Sequence, residues 1–201
     1  MNQKKFFLLI MLSVTAVIIS GCRPGSANAN QAWPVYENSD YGYGFNYPSN
    51  CTYGPLPEDC KSASLEDQRA ACLCFLDAEN PDNVLMQFYQ RDDEGQFVLA
   101  EFKIMNLTKT VNSLPDNPAS IKGWLADTFP EKYGSAGIAD ITIGGEPAVS
   151  HSTLGSEMAP AVEEIYFLDK GQLFQVRMLN PDEIINHQLY ESILTSFRFD
   201  G

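Results

Sequence analysis

The segment 162–179, VEEIYFLDKGQLFQVRML, reads as two β-strands folded back on one another. Val162 to Leu168 and Leu173 to Leu179 are dense in β-branched and aromatic residues, and Asp169-Lys170-Gly171 between them carries turn chemistry, with glycine for positive φ. The same signature occurs twice more. Val84–Gln90 and Gln96–Met105 flank Asp92-Asp93-Glu94-Gly95, and Ile138–Ile143 and Pro147–Thr153 flank Gly144-Gly145. Three hairpins in one chain predict a largely antiparallel sheet. Upstream, Trp33–Tyr36 reads as a short strand. Tyr41–Tyr47 follows with rings at 41, 43, 45 and 47, which alternation places on one face, while Gly42 and Gly44 leave the other open to a close neighbour. Asn117-Pro118 opens a helix with Asn as cap, its apolar stripe running through Ile121, Trp124, Leu125 and Thr128 or Phe129, and the helix ends near Tyr133-Gly134. Asn180-Pro181-Asp182-Glu183 opens the last helix, with Asn as cap, Pro in the first turn and Glu183 closing a capping box. Ile184, Ile185, Leu189, Ile193 and Leu194 form its expected buried face, and Phe197 and Phe199 close on the core. The expected fold is α+β, a largely antiparallel sheet sandwiched between helices.

Before this folded part stands an export signal. Lys4 and Lys5 precede an apolar run from Phe6 to Ile19, 14 residues long, short of the roughly 20 a membrane span needs. Ile19-Ser20-Gly21-Cys22 then resembles the lipobox of bacterial lipoproteins. That resemblance implies cleavage before Cys22, a diacylglycerol on its sulfur and an acyl chain such as palmitate on the new amino group; two or more chains anchor a protein stably where one does not. Residues 1–21 are thus read as signal peptide, 22–32 as lipidated cysteine and flexible tether, and 33–201 as one domain. The expected location is the extracytoplasmic face of a bacterial membrane, in the cell envelope. Residue 23 is Arg, so the family's inner-membrane retention signal, an Asp there, is absent.

Loss of the two lysines takes the net charge from −13 to −15, which argues against nucleic acid as a partner. Four cysteines remain, Cys51, Cys60, Cys72 and Cys74, an even number in an exported chain and hence two expected disulfides tying an insertion over 50–74. Nested pairing, Cys51–Cys74 with Cys60–Cys72, suits a hairpin-like return; crossed pairing stays open. Four thiols could instead bind zinc, but C-x₈-C-x₁₁-C-x-C is unlike ordinary zinc knuckles.

Three stretches together resemble PsbP-like domains and the small bacterial lipoproteins related to them. Tyr43-Gly44-Phe45-Asn46-Tyr47-Pro48-Ser49 is similar to the family's opening yGFsfkYPs, Ile141-Thr142-Ile143-Gly144-Gly145-Glu146-Pro147-Ala148 to its central hairpin, and Ile193-Leu194-Thr195-Ser196-Phe197-Arg198-Phe199 to its closing iLsSFkF. The resemblance implies an antiparallel sheet between helices. Cys51 stands where the family usually has Trp after its opening motif, and the photosynthetic members' binding residues do not map here, so their role of retaining ions at a membrane complex is not carried over.

The chemistry-bearing residues do not converge in the sequence. Ser150 and Ser152 flank His151 but point to the opposite face of a strand, with no nucleophile elbow. Glu163 and Glu164 likewise alternate faces, and His187 falls on a solvated helix face. The oxygen-rich loops Asp77–Asn83 and Asp92–Gly95 lack the calcium-loop signature and suit ordinary turns. No catalytic residue, cofactor or metal ligand is assigned. The expected function is that of a non-enzymatic, lipid-anchored binding or accessory domain holding an envelope protein or polymer near the membrane. The second reading is a cation-binding or ion-retaining envelope protein using the acidic loops.

Overall fold

The computed structural model describes residues 32–54, 74–91, 97–134, 137–156 and 159–200. Cys22, Cys60, Cys72 and the tip of the first hairpin lie outside them. The strands are β1 (Val35–Asn38), β2 (Tyr43–Asn46), β3 (Thr52–Tyr53), β4 (Cys74–Asp77), β5 (Asn83–Arg91), β6 (Phe97–Asn106), β7 (Ile138–Ile143), β8 (Glu146–Thr153), β9 (Val162–Asp169), β10 (Gln172–Leu179) and β11 (Arg198–Phe199). The helices are α1 (Ile121–Thr128), entered through a 3₁₀ turn over Pro118–Ser120, α2 (Pro130–Tyr133) and α3 (Ile184–Thr195). Eight strands form the main sheet in the order β3-β4-β5-β6-β10-β9-β8-β7, and three form a small sheet, β1-β2-β11. All pairs are antiparallel except β3–β4.

The three hairpins stand where the sequence puts them. Two close through two-residue turns with both φ positive, Gly144-Gly145 at 57° and 88° and Lys170-Gly171 at 48° and 76°, the turn type whose twist matches the strands it joins. Register then sorts the side chains. Met86, Phe102 and Met178 lie across three adjacent strands, as do Val84, Ile104 and Val176, and Phe174, Phe167 and Ala148 across three more. All are buried. On this apolar face sit Tyr43 and Phe45 of β2, Tyr190 and Ile193 of α3, and Phe197. The Phe197 ring stacks between those of Tyr43 and Phe45, at 5.5 and 5.8 Å. Removing one such ring from water stabilises the fold by about 1.5–3 kcal/mol. Gly44, on the outer side of β2, is required by close approach: a Cβ there would lie 2.8 Å from the Tyr36 carbonyl oxygen.

The expected sandwich between helices is corrected. Among the described residues the helical cover of the apolar face is α3, and the small sheet shares that face with it. On the other face Ile121, Trp124 and Leu125 of α1 and Tyr133 of α2 pack on Val149, Tyr166 and Leu173, at the β8–β10 end of the sheet. The architecture is a sheet-rich α+β fold with flanking helices. β11 escaped the sequence because it is only two residues long and is created by pairing with β2, at Arg198↔Gly44 and Phe199↔Tyr43.

The start of α3 also differs. Asn180 does not cap it; its backbone is left-handed, at φ 51°, and the N-cap is Glu183, whose side chain makes no capping bond. The buried stripe of α3 runs through Asn186, Tyr190 and Ile193, with Leu189 and Leu194 only partly buried. Two polar groups lie inside because both find partners. Asn186 donates to the Asn180 carbonyl at 3.1 Å. The Tyr190 hydroxyl donates to the Leu179 carbonyl at 2.6 Å and accepts from the Glu101 amide at 3.0 Å. At the first helix the expected cap holds: Asn117 and Ser120 exchange side chain and backbone bonds at 3.1 and 3.2 Å.

Candidate functional site

The face of the sheet beneath α1 and α2 carries a buried polar cluster. Antiparallel register sets Glu164 of β9 beside His151 of β8 and Tyr166 of β9 beside Gln175 of β10. All four are buried on the face opposite the aromatic core. The helical segment supplies the roof. Pro130 cannot extend α1, so the chain breaks at Phe129, whose backbone leaves the helical region at φ −131° and ψ 61°. The new turn, α2, brings Lys132 and Tyr133 down onto Glu164.

The bonds converge on that carboxylate. Lys132 Nζ lies 2.7 Å from Oε1 and 2.6 Å from Oε2. Gln175 Nε2 donates to Oε1 at 3.0 Å, and the Tyr133 hydroxyl donates to Oε2 at 2.8 Å. Tyr133 has one hydroxyl proton, and the carboxylate receives it. The 2.6 Å contact between the Tyr133 and Tyr166 hydroxyls therefore uses the Tyr166 proton. The Gln175 amide also donates to the Tyr166 oxygen. Burial pushes both phenols up, and each is raised further by the nearby Glu164 charge. Neither is poised to ionise near neutrality. His151 closes the row. Its ring stands edge-on to Tyr133 at 4.9 Å, and its Nδ1 lies 3.9 Å from Glu164 Oε2, beyond hydrogen-bond reach, with no other hydrogen-bond partner among the described residues.

Above the cluster opens a cavity of about 390 Å³, toward the small end of ordinary ligand sites. Lys132, Tyr133, Glu164, Tyr166 and Gln175 form its polar side, and Leu107, Val111 and Phe129 its apolar side.

The other sequence candidates stay apart. Ser150 is on the opposite face from His151, as alternation requires. Glu163 points away from Glu164, and burial raises its carboxyl pKa. His187 is exposed and pairs with Glu191 at 3.5 Å. In the loop Asp77–Asn83, Asp77 and Asn80 accept turn bonds from the amides of Glu79 and Asp82. Asp82 accepts from the Tyr41 hydroxyl and pairs with Lys109 at 3.2 Å, and the Tyr41 bond lowers its pKa. Among the described residues no group of three or more His, Cys, Asp or Glu is arranged to hold a metal. Cys51 and Cys74 are joined by a disulfide that ties the lead into β3 to the start of β4, so a zinc site using all four thiols is not formed. Among the described residues no helix is long and apolar enough to cross a membrane.

No family model matches the chain, and no curated protein matches it. Among solved structures it is similar to the solution structure of cyanobacterial PsbP (CyanoP) from Synechocystis sp. PCC 6803, with a TM-score of 0.41 and 15% identity, over 88% of this chain and 99% of that one.

Proposed function

We propose that the protein is a non-enzymatic binding domain, anchored by lipid at Cys22 to the extracytoplasmic face of a bacterial membrane, which holds an envelope protein or polymer near that membrane. The observation that carries the binding reading is the closed inventory around Glu164. Its oxygens are taken by Lys132, Tyr133 and Gln175, and the phenols beside it resist ionisation. Such a set is rigid and well suited to fixing the orientation of a ligand; a general base or nucleophile needs a lone pair left available. Leu107, Val111 and Phe129 in the same lining supply the apolar contact area a small ligand site uses. The exported location is supported by the lipobox resemblance and by the Cys51–Cys74 bridge, since disulfides persist in oxidising compartments.

Mass spectrometry of the protein purified from its native membrane tests the anchor. The expected N-terminus is Cys22 carrying diacylglycerol and an acyl chain; an unmodified N-terminus, or an intact segment 1–21, overturns it. Crosslinking in intact cells, followed by identification of what the domain holds, tests the binding role. Substrate turnover that is abolished by changing Glu164 alone overturns the non-enzymatic reading.

A further inference from the structure

The charge balance of the cavity selects a ligand class, and this inference rests on the binding reading above. Glu164 is 5% exposed, and its charge is already matched by Lys132 at 2.6 Å. A cationic ligand would have to displace that ammonium. An anionic ligand would bring a second negative charge against a buried carboxylate, in a chain of net charge −13, where low local dielectric makes the repulsion costly. A hydroxyl does neither. It can accept from the Lys132 ammonium and donate to an acceptor outside the closed Glu164 set at the same time. Both amide hydrogens of Gln175 are in use, toward Glu164 and Tyr166, which leaves its carbonyl oxygen as a further acceptor for such a group.

The apolar side adds shape. Phe129 is 40% exposed at the cavity rim, yet its ring is held edge-on to Trp124 at 5.9 Å and to Tyr133 at 6.1 Å. A fixed, partly bare aromatic ring beside a row of polar groups matches a ligand with an apolar C–H face and hydroxyls around its edge.

We propose that the cavity over Glu164 binds one ring of a neutral, polyhydroxylated ligand, a saccharide unit of an envelope polymer, packed on Phe129 with its hydroxyls toward Lys132 and the Glu164 cluster. The test uses the full chain in detergent micelles, titrated with the linear tetrasaccharides of N-acetylglucosamine and of glucose, and with n-butylammonium and butyrate as charged probes. The readouts are calorimetry and the resonance of the Trp124 indole N–H, which donates to the Ser113 carbonyl and whose ring stands edge-on to Phe129 at 5.9 Å. The expected result is saturable binding of at least one tetrasaccharide, a shift of that resonance, and about tenfold weaker binding by Phe129→Ala. Thr110 also lines the cavity and is exposed, so Thr110→Arg places a long side chain in its opening; it is expected to abolish binding while the protein still melts cooperatively, and it keeps the test decisive should Phe129→Ala fail to fold. Four results overturn the proposal: no saccharide binding at millimolar concentration, binding of n-butylammonium alone, binding of butyrate alone, or saccharide binding unchanged in Thr110→Arg. If saccharides do not bind while crosslinks in cells persist in Thr110→Arg, the cavity assignment fails and the binding-domain reading stands.

Discussion

The two faces of the main sheet solve opposite problems with the same strands. One face is a wall of rings: Phe102, Phe167 and Phe174 lie under Phe45, Tyr43 and Phe197. The other face, one residue along in each strand, carries Glu164, Tyr166, Gln175 and His151 beneath a short helical roof. The apolar face is stabilised by area removed from water, which is non-directional and tolerant of small displacements. The polar face depends on bonds of 2.6–3.0 Å that fail if one partner leaves. Strength thus resides in the first face and specificity in the second.

That contrast can be broken in the laboratory. The largest loss is expected from Phe174→Ala, which empties a fully buried site stacked on Phe167 at 5.2 Å. About 4 kcal/mol should disappear from the unfolding free energy in denaturant, and a loss below about 1 kcal/mol would mean the rings are not the main support. On the polar face Lys132→Met should cost about 2 kcal/mol, because it strands a buried carboxylate, the figure being reduced from that of a fully buried pair since the Lys132 side chain is 47% exposed. Tyr133→Phe should cost about 1–2 kcal/mol by removing the hydroxyl between Glu164 and Tyr166. If Lys132→Met stabilises the protein, the ion pair is not holding α2 to the sheet.

Alkaline titration compares the faces without mutation. Burial raises the phenols of Tyr43 and Tyr190 on the ring side and of Tyr133 and Tyr166 on the polar side, and raises Tyr36 to about 12. For an acid whose folded pKa is raised, the unfolded state loses its proton first. Stability is therefore unaffected below pH 10 and falls as pH rises from about 10 toward 12 and above. The absorbance of these phenolates should appear together with loss of the near-ultraviolet circular dichroism; ionisation of all five well before unfolding contradicts their burial.

The smallest effect concerns Glu163, raised by burial, with Asp182 adding to the rise and His187 opposing it. Its ionisation opposes folding once pH exceeds the ordinary glutamate range. Glu163→Gln should accordingly raise the melting temperature at pH 7 and leave it unchanged near pH 3.5. A lower melting temperature at pH 7 would show that its charge is supported.

Much of the fold was legible because it is local. The hairpins at Gly144-Gly145 and Lys170-Gly171 follow from turn chemistry, and a two-residue turn sets register, so the Tyr166–Gln175 pair could have been read from 162–179 directly. The alternation that marks Phe167 and Phe174 as core marks Glu164 and Tyr166 as neighbours on the other side. What hid the cluster was that a charged residue on an alternating strand ordinarily faces water, and nothing near Glu164 in sequence says that a roof lies over it. The stripe of α3 was read in part: Ile193 is buried and Leu189 and Leu194 pack against the core, but Asn186, a polar residue the pattern left out, is inside because the Asn180 carbonyl is there to receive it.

The sequence by itself determined the three hairpins, the capped entry at Asn117 and the alternation that sorts core residues from their neighbours, since each depends on residues a few positions apart. Tertiary structure alone decided that β6 lies beside β10, that β11 pairs with β2, that the break at Phe129-Pro130 lowers Lys132 and Tyr133 onto Glu164, and that His151 joins them. The physical reason is separation along the chain. Short-range preferences are written in the dihedral and turn chemistry of adjacent residues, whereas a buried carboxylate is tolerated only where donors from distant segments converge, and that convergence exists only once the whole sheet has formed.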